Sequence, residues 1–258
     1  MGSLFRIHAL AANTFREAIR NKLLYTLLGF SFLMIASGVL LATLSYVEVD
    51  EILQDMGMSA IRFFGAGIAI FVGIGLIHNE VDRRTIFTIL SKPVSRSDFL
   101  LGKWAGLTFT VWIQLALMGV AFAIVSALAG APLHPDHFLA IALIGLELMV
   151  LVAVATLFSA FTTPMLAALF TIGIWMIGHL TRDLHALSQQ SDVASVATVG
   201  SWVFQLLPDF EVFNKTLEAV HGLPIDRGEV GLAVAYAVGY TGCTLLVGSM
   251  IFSRRDFK

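Results

Sequence analysis

The run Asn79-Glu80-Val81-Asp82-Arg83-Arg84-Thr85-Ile86-Phe87-Thr88-Ile89-Leu90-Ser91-Lys92-Pro93-Val94-Ser95-Arg96-Ser97-Asp98-Phe99-Leu100-Leu101-Gly102-Lys103 is the densest patch of charge in the chain. A charged head (Glu80, Asp82, Arg83, Arg84) leads into a short run of apolar residues and Thr that contains Ile86, Phe87 and Leu90. Pro93 stops that run, because its ring removes a backbone donor and restricts the residue before it. Ser95 and Asp98 then form an S-x-x-D capping signal for the helix that follows. The stretch reads as a short helix, a break and a new helix start, set between two long apolar segments.

The surrounding composition fixes the class. Of the 258 residues, 57% are hydrophobic and only 13% charged, with a mean hydropathy of +0.85. A soluble domain carries more charge and less continuous apolar sequence, so this is an all-α membrane protein in expectation. A net charge of -2 gives no basis for nucleic acid as a partner. The single cysteine, Cys243, rules out a disulfide framework or a cysteine-based metal cluster. No cleavable leader is expected: the first apolar run starts at Leu23, is long enough to span, and lacks a small-residue cleavage site.

Six segments qualify as spans, judged against the roughly 20 residues needed to cross about 30 Å of hydrocarbon. They are Leu23–Tyr46, Met58–Ile77, Trp104–Ala129, Phe138–Phe161, Met165–Leu180 and Val230–Phe252. Arg62 falls one turn inside the second and is expected to snorkel outward. The fifth is short, and Pro164 suits its first turn. Arg6, Arg16, Arg20 and Lys22 precede the first span; Arg83, Arg84, Lys92, Arg96 and Lys103 lie between the second and third; Arg254, Arg255 and Lys258 follow the sixth. Lysine and arginine mark the cytoplasmic side, so the chain is expected in the plasma (inner) membrane with both termini cytoplasmic and residues 183–229 outside.

Two flanking stretches have helical periodicity. From Ser3 to Lys22 the residues Leu4, Ile7, Ala11, Phe15, Ala18 and Ile19 recur at helical spacing with arginines between them, the pattern of a helix lying at the headgroups. Arg182 to Glu229 is too long for a bare connection. Val193, Val196, Val199, Val203, Leu206 and Leu207 repeat helically there, which predicts a short helix in the outer leaflet before the last span.

Several of these features together resemble the ABC-2-type transporter permeases. The Glu near the start of the charged run, the Thr85-to-Leu90 run, Pro-Val-Ser-Arg and the closing Leu-Gly-Lys resemble that family's first cytoplasmic loop, and most closely its subgroup containing the permease of nitrous-oxide-reductase maturation. Arg84 stands where the family usually has Gly. Leu207-Pro208-Asp209-Phe210 with Phe213-Asn214 resembles its Pro-aromatic-Asn signature before the last span. The resemblance covers nearly the whole chain and implies one transmembrane domain over 1–258, with an interfacial helix at 1–22, a coupling loop at 79–98 and an extracytoplasmic segment at 183–229. It also implies that Glu80, Asp82, Arg83, Arg84, Ile86, Phe87 and Leu90 meet a separate ATPase, of which two copies bind ATP and Mg. The chain itself then carries no cofactor. Six spans are half of the usual unit, so a second copy or a paralogue is expected alongside the lipid bilayer.

No chemistry of the chain's own emerges. Gly102-Lys103 lacks the glycine spacing of a phosphate loop, and no G-x-S-x-G, H-E-x-x-H or C-x-x-C occurs. His134-Pro-Asp-His137 offers too few ligands for zinc and reads as a solvated loop. Glu147 is the one acidic residue deep in a span, where an ionisable group is costly and a functional candidate. Counting helical rise puts Glu147 about 14 Å below the outer end of its span and Gln114 about 15 Å above the inner end of its own. The two are therefore at a depth where a hydrogen bond between neighbouring spans is geometrically feasible, with Glu147 read either as protonated interhelical glue or as a group for cargo passage or gating. Small residues at i, i+4 mark close contacts at Gly65, Ala69 and Gly73, and at Gly231, Ala235 and Gly239. The readings that compete are an exporter permease, a membrane anchor or scaffold using the same ATPase, and, with least support, an intramembrane enzyme.

Overall fold

The computed structural model describes residues 3–42, 49–82, 95–189 and 207–254. Among them every regular element is helical. In chain order these are α1 (Ser3–Ile19), α2 (Lys22–Ala42), α3 (Val49–Asp82), α4 (Arg96–Leu128), α5 (Pro135–Ser159), α6 (Pro164–Gln189), a 3-10 turn (Phe210–Phe213), α7 (Thr216–Val220) and α8 (Arg227–Arg254). Six of them, α2 to α6 and α8, are long and apolar enough to cross a membrane. The protein is an all-α membrane protein.

Local signals set the helix ends. Ser95 caps α4 as its motif predicts: its hydroxyl accepts from the Asp98 amide at 3.0 Å. Pro164 begins α6, where its missing donor costs nothing. Gly130 ends the turn after α4 with φ +88°, a conformation a side chain would oppose. That turn is closed by the Ser126 hydroxyl, which donates to the Ala131 carbonyl.

α5 is the central helix. It packs against α3, α4, α6 and α8, and the residues from Glu147 to Thr156 are almost all buried. Its apolar residues therefore run right round, as expected for a helix enclosed by others. α2, α6 and α8 stand outside it and present large apolar side chains such as Leu33, Leu169 and Leu246 outward. In a bilayer those side chains meet lipid tails.

The two ends of the bundle are fastened differently. At the end where α1 lies and α8 finishes, Ser97 and Ser249 share a 2.7 Å hydrogen bond, and Phe99 stacks on Phe252 at 5.9 Å. There α1 lies along α4 so closely that a methyl on Gly102 would meet Leu10 at 2.5 Å. Lys103, only 1% exposed, pairs with Glu17 at 3.4 Å, and Arg6 with Asp98 at 3.5 Å. Arg96 and Lys103 thus belong to a helix rather than a loop. The amphipathic α1 docks one side on α4, with Thr14 and Ala18 buried, and leaves Leu4 and Phe5 exposed.

At the opposite end the expectation of a solvated loop is corrected for His137, while His134 is exposed as the N-cap of α5. These residues start α5. The His134 amide donates to His137 Nδ1 at 3.1 Å, leaving Nε2 to donate to Gln54 Oε1 at 3.0 Å. His137 is buried, a pin between α3 and α5 rather than a solvated loop residue.

Candidate functional site

α3 is 34 residues long, about 50 Å at 1.5 Å per residue, and so overruns the hydrocarbon. It starts nine residues before the expected span, which carries Arg62 deep into the bundle instead of one turn inside. The expected snorkelling does not occur. Arg62 turns inward, and its Nη2 donates to Asn214 Oδ1 at 2.7 Å and Thr216 Oγ1 at 3.1 Å. Its Nε stands 3.5 Å from Glu147 Oε2 in an ion pair too poorly aligned to be a hydrogen bond. A buried partner outcompetes the interface because a desolvated charge gains more from a carboxylate than from a long reach to water.

Glu147, 0% exposed, is the hub. Its Oε1 accepts from Trp175 Nε1 and His179 Nε2, each at 3.0 Å. The other ring nitrogen of His179, Nδ1, lies 3.6 Å from Glu211 Oε2. Both ring nitrogens therefore face carboxylates, and the His179 side chain bridges Glu147 of α5 and Glu211 of the connection before α8.

The connection before α8 completes it. Asn214 Nδ2 donates to Glu211 Oε1 at 2.6 Å, and the Asp209 side chain caps the 3-10 turn by accepting from the Glu211 amide at 3.0 Å. Phe210 and Phe213 are buried beneath. Gly178 makes the approach possible, since a methyl there would sit 2.5 Å from the Phe210 ring and 2.7 Å from the Pro208 carbonyl. Arg182 holds Asp209 at 2.8 Å, and the Asp209 amide donates to Tyr236 on α8 at 2.9 Å. Glu211 has its pKa lowered, first by the hydrogen bond from His179 and further by the one from Asn214, against burial. Burial opposes the charge on Lys215, but hydrogen bonds to Glu218 and Glu229 at 2.8 and 2.6 Å outweigh it and raise its pKa.

The Gln114–Glu147 hydrogen bond that depth makes feasible is absent. Gln114 Oε1 is buried without a partner, and Glu147 is committed to α3 and α6. The reason is angular. On α5, Gly145 faces Trp112 and Leu115 of α4, and Glu147, two residues on, is turned about 200° away. Equal depth placed the two residues at one level, but on different sides of α5. Of the other sequence-derived candidates, Glu80 and Asp82 fall in the last turn of α3. Arg83, Arg84, Ile86, Phe87 and Leu90 lie outside the described residues, as does most of the expected outer-leaflet helix. Sequence reading passed over His179. The available signal was its place four residues after Trp175, on the same face of an apolar helix.

Six spans joined by this arrangement meet a family model that matches residues 8–257, that of the ABC-2 family transporter proteins. The chain belongs to the ABC-2 family. No curated protein matches it. As an ABC-2 protein it is a membrane permease component of an ABC transporter, multi-pass and associated with an ABC ATPase. Within this ABC-2 chain, Asn214 is the residue that receives Arg62.

Proposed function

We propose that the protein is the permease half of an ATP-driven exporter, with both termini in the cytoplasm of a plasma-membrane assembly. A second copy or a paralogue completes the pathway, and ATP and Mg reside in two separate ATPase subunits. The segment from Glu80 to Leu90 docks on the ATPase. Closure of the ATPase pair pushes this segment and, through the Ser95 cap, the start of α4. Because α4 packs on α5, the push reaches the helix that carries Glu147.

The observation that carries this reading is the keyed closure of the outer end. The 207–226 connection is tied by Arg62, Glu147, His179 and Glu211 to three separate spans. A shift of α3, α5 or α6 breaks those ties together and frees the outer end. Moving charges between two discrete pairings is a way for packed helices to switch rather than bend. On this reading the state in which those ties are made is the one closed on the outer side, as an exporter loading from the inside requires.

The test is reconstitution of the permease with its ATPase in vesicles, with hydrolysis measured across candidate cargoes. Hydrolysis that rises with one cargo, together with accumulation of that cargo on the ATP-free side, supports export. A rate indifferent to every cargo supports the anchor or scaffold reading instead.

A further inference from the structure

Where α1 crosses α4 the backbones touch: a methyl on Gly106 would lie 2.5 Å from the Ala11 carbonyl. Just beside that crossing the small side chains leave space. His8, Ala11, Ala12, Phe15, Gly106 and Phe109 enclose a cavity of about 290 Å³, half open to the outside and almost wholly apolar. Phe15 and Phe109, edge to face at 5.1 Å, wall it. Gly106 and the two alanines have no side chain able to fill it.

Basic residues flank this apolar groove along the chain: Arg16 follows Phe15, one turn after Ala12 on α1, and Arg20 stands just past the end of that helix. Arg16 and Arg20 are exposed and have no carboxylate partner among the described residues. Lys22 follows at the start of α2, also exposed. By contrast Arg6 and Lys103, on the protein-facing side, are both paired. Unpaired cations beside an apolar slot, on a helix with Leu4 and Phe5 exposed, match one amphiphile: an acyl chain joined to an anionic headgroup. We propose that the α1–α4 groove is a specific site for an anionic phospholipid. One acyl chain fills the slot and the phosphate sits against Arg16 and Arg20. The bound lipid takes the place of the missing side chains and fixes α1 against the base of α4.

The test uses the full permease in detergent, exchanged into dioleoyl phosphatidylglycerol or dioleoyl phosphatidylcholine and examined by native mass spectrometry. One phosphatidylglycerol per chain is expected to survive extensive washing. Its preference over phosphatidylcholine is expected to be roughly 30-fold, taking ~1 kcal/mol for each of two basic residues. Arg16→Gln with Arg20→Gln should reduce that preference to a few-fold, and Ala12→Phe should lower retention of both lipids by filling the slot. If Ala12→Phe does not fold, the arginine pair still decides, because both side chains are exposed and touch nothing in the core. Equal retention of the two lipids by the wild type, or undiminished phosphatidylglycerol preference in the arginine variant, overturns the proposal and leaves only non-specific boundary lipid.

Discussion

Arg62 of α3 and Asn214 of the connection before α8, 152 positions apart, are joined by a hydrogen bond of 2.7 Å. Asn214 also donates to Glu211, so one side chain holds a cation and an anion of the same cluster. Asn214→Ala removes both bonds and leaves Arg62 half-satisfied in a buried setting. The expected cost is about 1–3 kcal/mol. Thermal unfolding in detergent should register this loss, and limited proteolysis should reach residues 207–226 sooner than in the wild type.

Glu147 is expected to be more sensitive. Glu147→Ala leaves Arg62 without its buried carboxylate, the situation in which breaking a buried pair costs about 3–5 kcal/mol. Glu147→Gln keeps an acceptor for Trp175 but not the charge. It should assemble, and it should lose cargo-stimulated ATP hydrolysis while basal hydrolysis persists. Wild-type stimulation in the Gln variant would reduce Glu147 to interhelical glue.

The acid response of the outer connection follows from Glu211. Its folded pKa lies below the ordinary 4.5, so its ion pairing contributes stability above about pH 4.5, lost as pH falls through the folded value. The melting temperature of the wild type should therefore exceed that of Glu211→Gln at neutral pH, and the gap should close under acid. An unchanged gap at a pH well below 4 would show that the charge of Glu211 is irrelevant.

Two glycines should behave oppositely. In Gly106→Ala the new methyl meets the Ala11 backbone at 2.5 Å and Thr14 at 2.7 Å, and α1 must lift from α4. Overpacking of that kind costs about 1–3 kcal/mol. Gly239 on α8 has open space around the same position, so Gly239→Ala should leave the melting temperature of the isolated subunit level or higher, by up to about 1 kcal/mol of helix propensity.

At the ATPase, Phe87→Ala should lose on the order of 2 kcal/mol of docking, because aromatic anchors dominate such contacts. Replacing Arg83 and Arg84 together should cost less and vary with salt. Co-purification of the ATPase with each variant reads both effects. Full recovery with Phe87→Asp would remove this loop from the coupling role.

Composition and periodicity determined the class and the six spans, because hydrocarbon admits only segments whose backbone is internally bonded and whose side chains are apolar. The Ser95 cap and the Pro164 helix start were legible for the same reason that all local signals are: the partners lie within one turn. The family followed from residues near 80–103 and 207–214. The cluster could not be read this way. Arg62 lay at an apparent span edge, His179 near another, and Asn214 in a connection; nothing local relates them. Depth can be counted along one helix, as it was for Glu147 and Gln114, but which side of α5 each neighbour occupies is set by packing. Gly145 turned that helix toward Trp112, and Glu147 was thereby given to Arg62 and His179. Gly178 then let Phe210 and the connection close over them. Charge in a low-dielectric interior finds the partner that packing supplies, and only the assembled bundle says which partner that is.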